Sequence, residues 1–490
     1  MTGLYDLIVI GGGVNGAGIA RDAAGRGASV LLLEARDLAS GTSSASTKLV
    51  HGGLRYLEYY EFALVREALQ EREKLWRIAP HIIHPLRFVL PVTEGMRPAW
   101  MLRAGLFLYD HIGGRRSLPG TRSLDFARHQ AGTPLQSGLK RGFEYSDLWV
   151  DDARLVVLNA LDAKERGAEI RTHTPVGSAR RDGEFWLVET SDGEFAGRAL
   201  VNAGGPGADD VAKLAGETPR YGIRRVRGSH IITRRLFDHD YAYIFQLPDT
   251  RICFAIPYEG EFTLIGTTDR DHPGSLEQVH AAQDEVEYLC AAASRYFAQP
   301  VTPADVVHTY AGVRALIDDG SSRPEAATRG YRLPISEPAE GAPLLGVYGG
   351  KITSYRHLAE AAVDKLAGRL PALSGEGWTS REPLPGGDFP TDGQGDLIEA
   401  LRQEFAFLTE PDATRIARAY GTRARRWLAD ARHRSDLGRD FGAGLSEAEI
   451  DYLCRVEWAE SAEDILWRRS KLGLHMSGAE RDAVADYLGG

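Results

Sequence analysis

Three glycines near the beginning of the chain have the spacing of a loop that binds a dinucleotide. Gly11, Gly13 and Gly16 follow the pattern G-x-G-x-x-G. Glycines in this pattern let a pyrophosphate approach bare backbone N–H groups at the beginning of a helix, where the helix dipole is positive. Glu34 follows Gly16 by 18 residues, where a carboxylate can accept hydrogen bonds from ribose hydroxyls. These residues predict a site for a cofactor that contains ADP.

The flanking sequence predicts the elements that such a loop needs. Residues 7–10 are apolar and mostly β-branched, as in a strand buried on both faces of a parallel sheet. Small residues after Gly16 predict a helix packed close to that sheet, and residues 29–33 predict a second strand ending beside Glu34. A glycine-rich turn in an ordinary βαβ unit is the alternative. The triplet by itself does not separate NAD from FAD.

A segment rich in hydroxyl groups, residues 35–58, follows directly. Hydroxyls can bond phosphate oxygens, and paired glycines let a flat ring approach the backbone. In isolation the segment could be a polar surface loop, but after a dinucleotide motif we interpret it as a loop that contacts phosphate and ring. The candidate cofactor contacts in it are Thr42, Ser43, Ser44, Ser46, Lys48, Gly52, Gly53 and Leu54.

Length and composition indicate a globular protein with several domains. The chain has 490 residues, which is too many for one simple core. Its hydrophobic content of 43% and charged content of 26% are typical of globular proteins. The net charge of -10 argues against extensive binding of nucleic acid.

The cysteines and the hydropathy of the sequence indicate the cellular compartment in which the protein is expected. Cys253, Cys290 and Cys454 are widely spaced, which predicts neither a disulfide framework nor a zinc site, and no cluster of metal ligands occurs in the sequence. The first strand begins almost at once, and no apolar run is long enough to span a bilayer. We therefore expect a reducing compartment, no signal peptide, and a protein that is cytosolic or attached to a membrane by its surface.

Seven motifs occur in one order along the chain: GGGVNG, TSSASTKLVHGGLRYLE, GFEYSDLWVDDARLV, RGSHII, LIGTTD, GVRALIDD and GGKITSYR. Together they closely resemble the FAD-dependent, respiratory sn-glycerol-3-phosphate dehydrogenases of the bacterial aerobic type. The sequence SDLGRDFG at 435–442 is similar to the helical C-terminal part of that family. The resemblance thus covers nearly the whole chain.

The resemblance implies a fold of class α/β. It consists of a Rossmann-like FAD-binding domain, an α+β substrate domain with an antiparallel sheet, and an all-α C-terminal cap. We expect the FAD-binding domain at 1–78, 150–219 and 336–374, the substrate domain at 79–149 and 220–335, a linker at 375–395, and the cap at 396–490.

The reaction that the resemblance implies is oxidation of sn-glycerol 3-phosphate to dihydroxyacetone phosphate. A hydride leaves C2 for flavin N5, and the electrons pass to a membrane quinone. One alternative is a glycerol-3-phosphate oxidase that uses oxygen, and another is an amine or amino-acid oxidase of the same flavin fold. A non-catalytic flavin-binding scaffold, with the helical cap as interaction module, is an alternative from another class.

The resemblance also implies which residues act on the substrate. A phosphate dianion favours a planar guanidinium that makes paired bonds. Arg314 is the leading candidate, with Arg55, Lys351 and Arg356 nearby and Tyr56 in the same pocket. Ala315 stands where the family usually has proline.

For the proton of the C2 hydroxyl, His230 in RGSHII is the leading acceptor, because imidazole titrates near neutral pH. His51 is second, and a packed core histidine is an equal alternative for His230. Solvent could also accept the proton from an alkoxide polarised by arginine. Arg314, His230, Arg55 and Lys351 are thus the expected catalytic residues.

Two later glycine turns are expected to contact the flavin. Residues 203–207 read AGGPG, where the family commonly carries Thr-Gly-Pro-Trp, so only a backbone role carries over. Gly350 precedes a predicted helix whose dipole, with Lys351, would stabilise a reduced, anionic flavin. The remaining expected cofactor contacts are Asn15, Val176, Ala203, Gly204, Ile352 and Thr353.

Residues 98–112 are apolar and aromatic and are too short to span a membrane. Arg97, Arg103, Arg115 and Arg116 surround them, which suits a helix lying in the membrane interface, although an ordinary core helix has the same composition. The resemblance is to a family that binds the cytoplasmic face of the membrane. We therefore expect a peripheral protein on the inner face of the cell membrane, with a homodimer among its possible assemblies.

Overall fold

A computed structural model describes residues 2–114, 117–249, 251–318, 330–336 and 341–489. Arg115 and Arg116, and the last residue of the GVRALIDD motif, lie outside the described residues.

The helices have the following bounds: α1 Val14–Gly25, α2 Phe62–Ile78, α3 Ala99–Ile112, α4 Asp152–Glu165, α5 Ala208–Leu214, α6 Gln283–Ser294, α7 Tyr355–Ala367, α8 Gln394–Glu404, α9 Glu410–Tyr420, α10 Arg425–Leu428, α11 Glu447–Glu457 and α12 Gly478–Gly489.

The strands have the following bounds: β1 Thr2–Ile10, β2 Val30–Leu33, β3 Leu49–Val50, β4 Ile83–Pro91, β5 Arg122–Asp125, β6 Arg141–Val150, β7 Glu169–Arg171, β8 Val176–Asp182, β9 Phe185–Thr190, β10 Gly193–Asn202, β11 Ile223–Arg234, β12 Ala242–Gln246, β13 Ile252–Tyr258, β14 Phe262–Gly266, β15 Arg270–Asp271, β16 Val306–Ile317, β17 Tyr331–Arg332, β18 Ile335–Ser336, β19 Leu344–Gly346 and β20 Tyr348–Gly349.

The first sheet carries the predicted βαβ unit. Its order is β18-β19-β10-β1-β2-β7, and β19, β10, β1, β2 and β7 run parallel. Helices α1, α4 and α7 cover one face with a core of small and aliphatic side chains. The hairpin β8–β9 continues from β10, and its Trp186 and Val188 are buried against the other face. The small residues of α1 thus pack as their spacing predicted.

The second sheet has the order β15-β11-β14-β13-β12-β4-β6-β3, with β16 on β11 and β5 on β6. Its pairs are antiparallel except that of β12 with β4, which is parallel. The antiparallel sheet of the expected fold class is therefore confirmed, with one parallel pair inside it. Leu49–Val50 of β3 pairs with β6, so the loop after the glycine motif crosses from the first sheet to the second.

Residues beyond 393 form a helical unit with its own core, which we call the cap. Helices α8 to α12 and a short π-helical turn, Asp464–Arg469, surround Leu401, Ile416 and Ile465. Within the described residues, no helix is both long and apolar enough to cross a membrane.

Candidate functional site

A cavity of about 710 Å³ lies between the two sheets. Gly11 and Ala203 follow the carboxyl ends of β1 and β10 and form one side, and Arg314 of β16 lies on the other. The carboxyl ends of parallel strands are where an open α/β sheet binds its ligands. The cavity therefore joins the predicted dinucleotide loop to the predicted substrate residues.

The glycine loop is packed so closely that side chains would collide in it. A Cβ on Gly11 would lie 2.5 Å from the Ala203 carbonyl oxygen, and one on Gly16 would lie 1.9 Å from the Gly11 carbonyl oxygen. Gly11 also has a φ of +114°, which favours glycine. The loop thus leaves its backbone bare at the beginning of α1, which fits the pyrophosphate of FAD.

Two polar side chains fix this loop from the cavity side. Glu34 accepts hydrogen bonds from the backbone N–H of Gly12 at 2.6 Å and of Arg36 at 2.9 Å. The Ser43 hydroxyl accepts one from the backbone N–H of Val14 at 3.0 Å. A carboxylate beside the loop suits the ribose hydroxyls of FAD, so the residues present fit this cofactor.

The chain returns to the cavity at a second glycine turn. Gly349 and Gly350 have φ values of +77° and +94°. Asn15 of α1 donates a hydrogen bond to the Gly349 carbonyl oxygen at 3.4 Å, so the two turns meet. The Lys351 ammonium then lies 4.2 Å from the centre of the Tyr56 ring.

Among the described residues, four with cationic side chains line the cavity, Arg36, Arg55, Arg314 and Lys351, and the last three belong to the predicted substrate site. Arg314 pairs with Asp269 and donates to the Thr267 hydroxyl at 3.0 Å. Arg55 donates to the Tyr59 hydroxyl at 3.3 Å. Arg55, Arg314 and Lys351 together with the Asp269 carboxylate carry a net positive charge, which suits an anionic substrate. The other acidic residues in the lining are Glu34, Asp147 and Glu277.

Most of the predicted contacts are brought together here. The predicted residues that line the cavity are Gly11, Gly13, Asn15, Glu34, Thr42, Ser43, Ser46, Gly53, Leu54, Arg55, Tyr56, Val176, Ala203, Gly204, Arg314, Gly350, Lys351 and Ile352. His51, the second candidate for the base, lines it too.

Several predicted cofactor residues support the wall of the cavity from behind. Lys48 is buried and pairs with Asp152 at 2.7 Å. The Gly52 N–H donates to the Tyr109 hydroxyl at 2.8 Å, and the Thr353 hydroxyl lies 3.4 Å from the His51 backbone nitrogen. Gly16 and Ser44 are likewise not among the lining residues. Their positions suit support of the loops rather than contact with the cofactor.

Arg356 does not reach the cavity, contrary to the predicted substrate contact. Its side chain is buried, pairs with Glu71 at 2.7 Å, and donates to the Thr379 hydroxyl at 3.0 Å. It pairs with Glu360 as well. Two carboxylates already compensate its charge, so a structural role replaces the predicted one.

His230 lies directly behind the cavity wall. Its Nε2 is 2.9 Å from the hydroxyl of Thr47, which lines the cavity, and its ring stacks on Tyr310. Burial, with the positive charges of Arg314 and Lys48, holds the pKa of His230 well below its ordinary value. His230 is therefore neutral at pH 7 and is separated from the cavity by one hydroxyl group.

The sequence did not point to Tyr59, Thr267 and Asp269 as site residues, and it placed Thr47 only within the hydroxyl-rich segment 35–58. Thr267 and Asp269 belong to the motif LIGTTD, which was the available signal. Their contacts with Arg314 depend on the pairing of β11 with β14 and β16. A Cβ on Gly228 of β11 would fall 2.5 Å from the Arg314 guanidinium, so this glycine makes room for it.

Comparison with known proteins gives matches over nearly the whole chain. A family model described as FAD dependent oxidoreductase matches residues 6–354, and one described as C-terminal domain of alpha-glycerophosphate oxidase matches residues 378–488.

Two curated bacterial proteins are similar along their full length. The glycerol-3-phosphate dehydrogenase of Pseudomonas aeruginosa is 51% identical, covering 99% of this chain and 95% of its own. The D-erythritol 1-phosphate dehydrogenase of Brucella abortus is 50% identical, covering 99% and 97%. Among solved structures, the glycerol-3-phosphate dehydrogenase from Bacillus halodurans complexed with FAD shares the fold, with a TM-score of 0.77 at 24% identity, covering 100% of this chain and 94% of that one.

Proposed function

The chain belongs to the FAD dependent oxidoreductase family, in the branch of the bacterial aerobic glycerol-3-phosphate dehydrogenases, and on this basis we propose that it oxidises sn-glycerol 3-phosphate to dihydroxyacetone phosphate. The family and the FAD cofactor predicted from the motifs are confirmed. We propose this substrate because Arg55, Arg314 and Lys351 line the same cavity as the dinucleotide loop.

We propose that Arg55 and Lys351 bind the phosphate dianion, in place of Arg314, which the sequence had made the leading candidate for that role. Asp269 already offsets the charge of Arg314, whereas the contacts of Arg55 and Lys351 described above are to neutral tyrosines. Arg314, oriented by Asp269 and Thr267, is assigned to the oxygen on C2. There its guanidinium would stabilise the negative charge that develops as the hydroxyl loses its proton.

FAD, when bound, supplies the acceptor for the hydride that leaves C2. The proton of the C2 hydroxyl needs an acceptor from the chain. His51 lines the cavity, and His230 is reached through the Thr47 hydroxyl. An imidazole nitrogen can accept a proton, so both histidines are candidates for the base, and the lowered pKa of His230 disfavours its protonated form. Variants described below separate the two.

A second candidate substrate is D-erythritol 1-phosphate. The relative with that name is as similar to this chain as the glycerol-3-phosphate dehydrogenases are. Both compounds carry a phosphate monoester next to a secondary alcohol, and the same cations would bind either. The difference is one additional hydroxymethylene group.

The test is anaerobic bleaching of the bound flavin by single compounds. We expect sn-glycerol 3-phosphate to reduce the flavin at least about tenfold faster than D-erythritol 1-phosphate at equal concentration, since one misfitting group costs about 1–3 kcal/mol. Glycerol, sarcosine and D-alanine should leave the flavin oxidised. Faster reduction by D-erythritol 1-phosphate would select the second candidate, and reduction by sarcosine or D-alanine would select an amino-acid oxidase.

For the electron acceptor we propose a membrane quinone, reached while the protein lies on the inner face of the cell membrane. Support comes from α3, in which Trp100 is 69% and Phe107 64% exposed while Leu106 and Tyr109 are buried. Tyr60, in the segment before α2, is 76% exposed. Arg97 and Arg103 of the same region could meet anionic headgroups.

Vesicles that contain anionic lipid should sediment the wild-type protein, and the double variant Trp100→Ser, Phe107→Ser should stay in the supernatant while retaining activity with a soluble quinone analogue. Equal sedimentation of both proteins would remove this surface from the proposal. Turnover with oxygen as fast as with quinone would favour the oxidase instead.

A further inference from the structure

Two arginines of the cap bind one carboxylate beside the dinucleotide loop. Asp37 is buried, and it accepts hydrogen bonds from Arg468 Nε at 2.6 Å and from Arg469 Nη1 and Nη2 at 2.6 Å each. Both oxygens of the carboxylate are therefore bonded to a unit more than 400 positions away in the sequence. Paired guanidinium–carboxylate contacts of this kind fix geometry as well as charge.

Asp37 lies within the part of the chain that wraps the cofactor site, between Glu34 and Ser43. The Ala39 N–H donates to the Gly12 carbonyl oxygen at 3.1 Å, and Ser43 holds the first residue of α1. Ser40, Thr42 and Ser43 line the cavity. A displacement of Asp37 would therefore displace Ser40, Thr42 and Ser43, which line the cavity beside the pyrophosphate-binding turn.

Ala39 gives a second reason why this wall needs support. Its φ is +62°, in the left-handed region that a residue with a Cβ rarely adopts. A conformation of this kind persists where the surrounding structure holds it from both sides. Asp37 is held by the cap, and the Ala39 N–H is held by Gly12.

The arginines are themselves firmly placed. Arg469 is completely buried and also donates to the Glu457 carbonyl oxygen at 2.6 Å. Glu457 in turn pairs with Arg154 of α4. Arg468 pairs with the buried Asp37 and Asp464 and, at 3.4 Å, with the exposed Glu463. Arg469, Asp37, Arg468 and Asp464 together sum to no net charge, which suits a buried cluster.

We propose that the cap retains FAD by clamping Asp37 with Arg468 and Arg469, so that Asp37 is a positioning residue for the cofactor. The inference rests on the FAD site and is independent of which alcohol is oxidised. The cap would then help to hold the cofactor in the part of the protein that contains the proposed active site.

The test measures FAD release from purified holoenzyme by the rise in flavin fluorescence. Asp37→Asn should release FAD at least about tenfold faster than wild type, because it leaves the buried Arg469 without its carboxylate. Arg469→Met should have a smaller effect, since Asp37 keeps Arg468. The matched control is Glu165→Gln, which breaks a different pair between cap and body, with Arg423 at 2.7 Å, away from the cavity.

The double variant Asp37→Asn, Arg469→Met separates positioning from stability. Removing both charges should recover much of the thermal stability lost in Asp37→Asn, while FAD release stays fast. Release as slow as in wild type from Asp37→Asn, or release that follows the melting temperature in every variant including Glu165→Gln, would overturn the clamp.

Discussion

Arg314 is the residue on which the proposed chemistry most depends. Arg314→Ala removes the guanidinium that we assign to the oxygen on C2 but none of the cofactor loops, so FAD should stay bound while substrate-dependent flavin reduction slows at least about a hundredfold. Stopped-flow absorbance under anaerobic conditions measures this rate. Arg295→Ala, on the exposed surface at the end of α6, is the control. Unchanged reduction in Arg314→Ala would remove this residue from the active site.

Thr47 decides between the two histidines. If the proton passes to His230, Thr47→Val should slow flavin reduction as much as His230→Asn does, about a hundredfold. If His51 is the base, His51→Asn should be slow and Thr47→Val close to wild type. The pH dependence of the reduction rate in all three variants is the measurement.

Site residues were predictable where their role depends on neighbours in sequence. Gly11, Gly13 and Glu34 form one local unit, and the structure brings them to the cavity as expected. Arg356 was not predictable, because its partner Glu71 lies 285 residues away, and no local pattern reveals that pair. Only tertiary packing distinguishes a buried structural arginine from one that faces a substrate.

The Tyr109 hydroxyl links helix α3 to Gly52, in the segment 35–58 that was expected to contact the cofactor. Tyr109 accepts from the Gly52 N–H and donates to Asp147 at 2.8 Å, and burial raises the pKa of Asp147 to about 6. Tyr109→Phe leaves both groups short of a partner, so the free energy of unfolding should fall by about 1–3 kcal/mol. Urea denaturation measures it, with the exposed Tyr60→Phe as control. A loss equal to that of the control would show that the link is unimportant.

The helices were predicted better than the packing of the segments that connect them. Hydrophobic spacing also predicts helices at 59–78 and near 280–297. Both are present, as is the helix at 98–112, with slightly different ends, and residues before Phe62 form a 3-10 turn, Leu54–Tyr59. Residues 375–395, expected as a linker, make contacts with helix α1. The Trp378 indole N–H donates to the Asp22 carbonyl oxygen at 3.2 Å. A high content of glycine and proline predicts that a segment lacks regular secondary structure. It does not predict whether the segment packs against the rest of the protein.

At the scale of the whole molecule, His81 makes stability depend on pH. It lies fully buried near the cap, and burial lowers its pKa to about 3. Between pH 6.5 and 3 the unfolded chain binds a proton there that the folded protein does not, so stability falls as pH falls. His81→Phe should remove about 1.4 kcal/mol of this loss per pH unit. Chemical denaturation of both proteins at pH 7 and pH 5 gives the difference, and parallel pH profiles would contradict it.

The three-part architecture followed from the resemblance, and the fold class is confirmed. The domain boundaries stay a prediction, as do the homodimer and the residues assigned to substrate. Contacts such as Asp37 with Arg469 join parts of the chain that each have a recognisable pattern of their own. Neither local pattern predicts that the two parts are in contact.

The most direct test of the account is an anaerobic titration of the holoenzyme with sn-glycerol 3-phosphate, followed by flavin absorbance. We expect one equivalent of sn-glycerol 3-phosphate per flavin to bleach the oxidised spectrum and to yield one equivalent of dihydroxyacetone phosphate. A spectrum that stays oxidised in excess sn-glycerol 3-phosphate, with FAD fully bound, would contradict it.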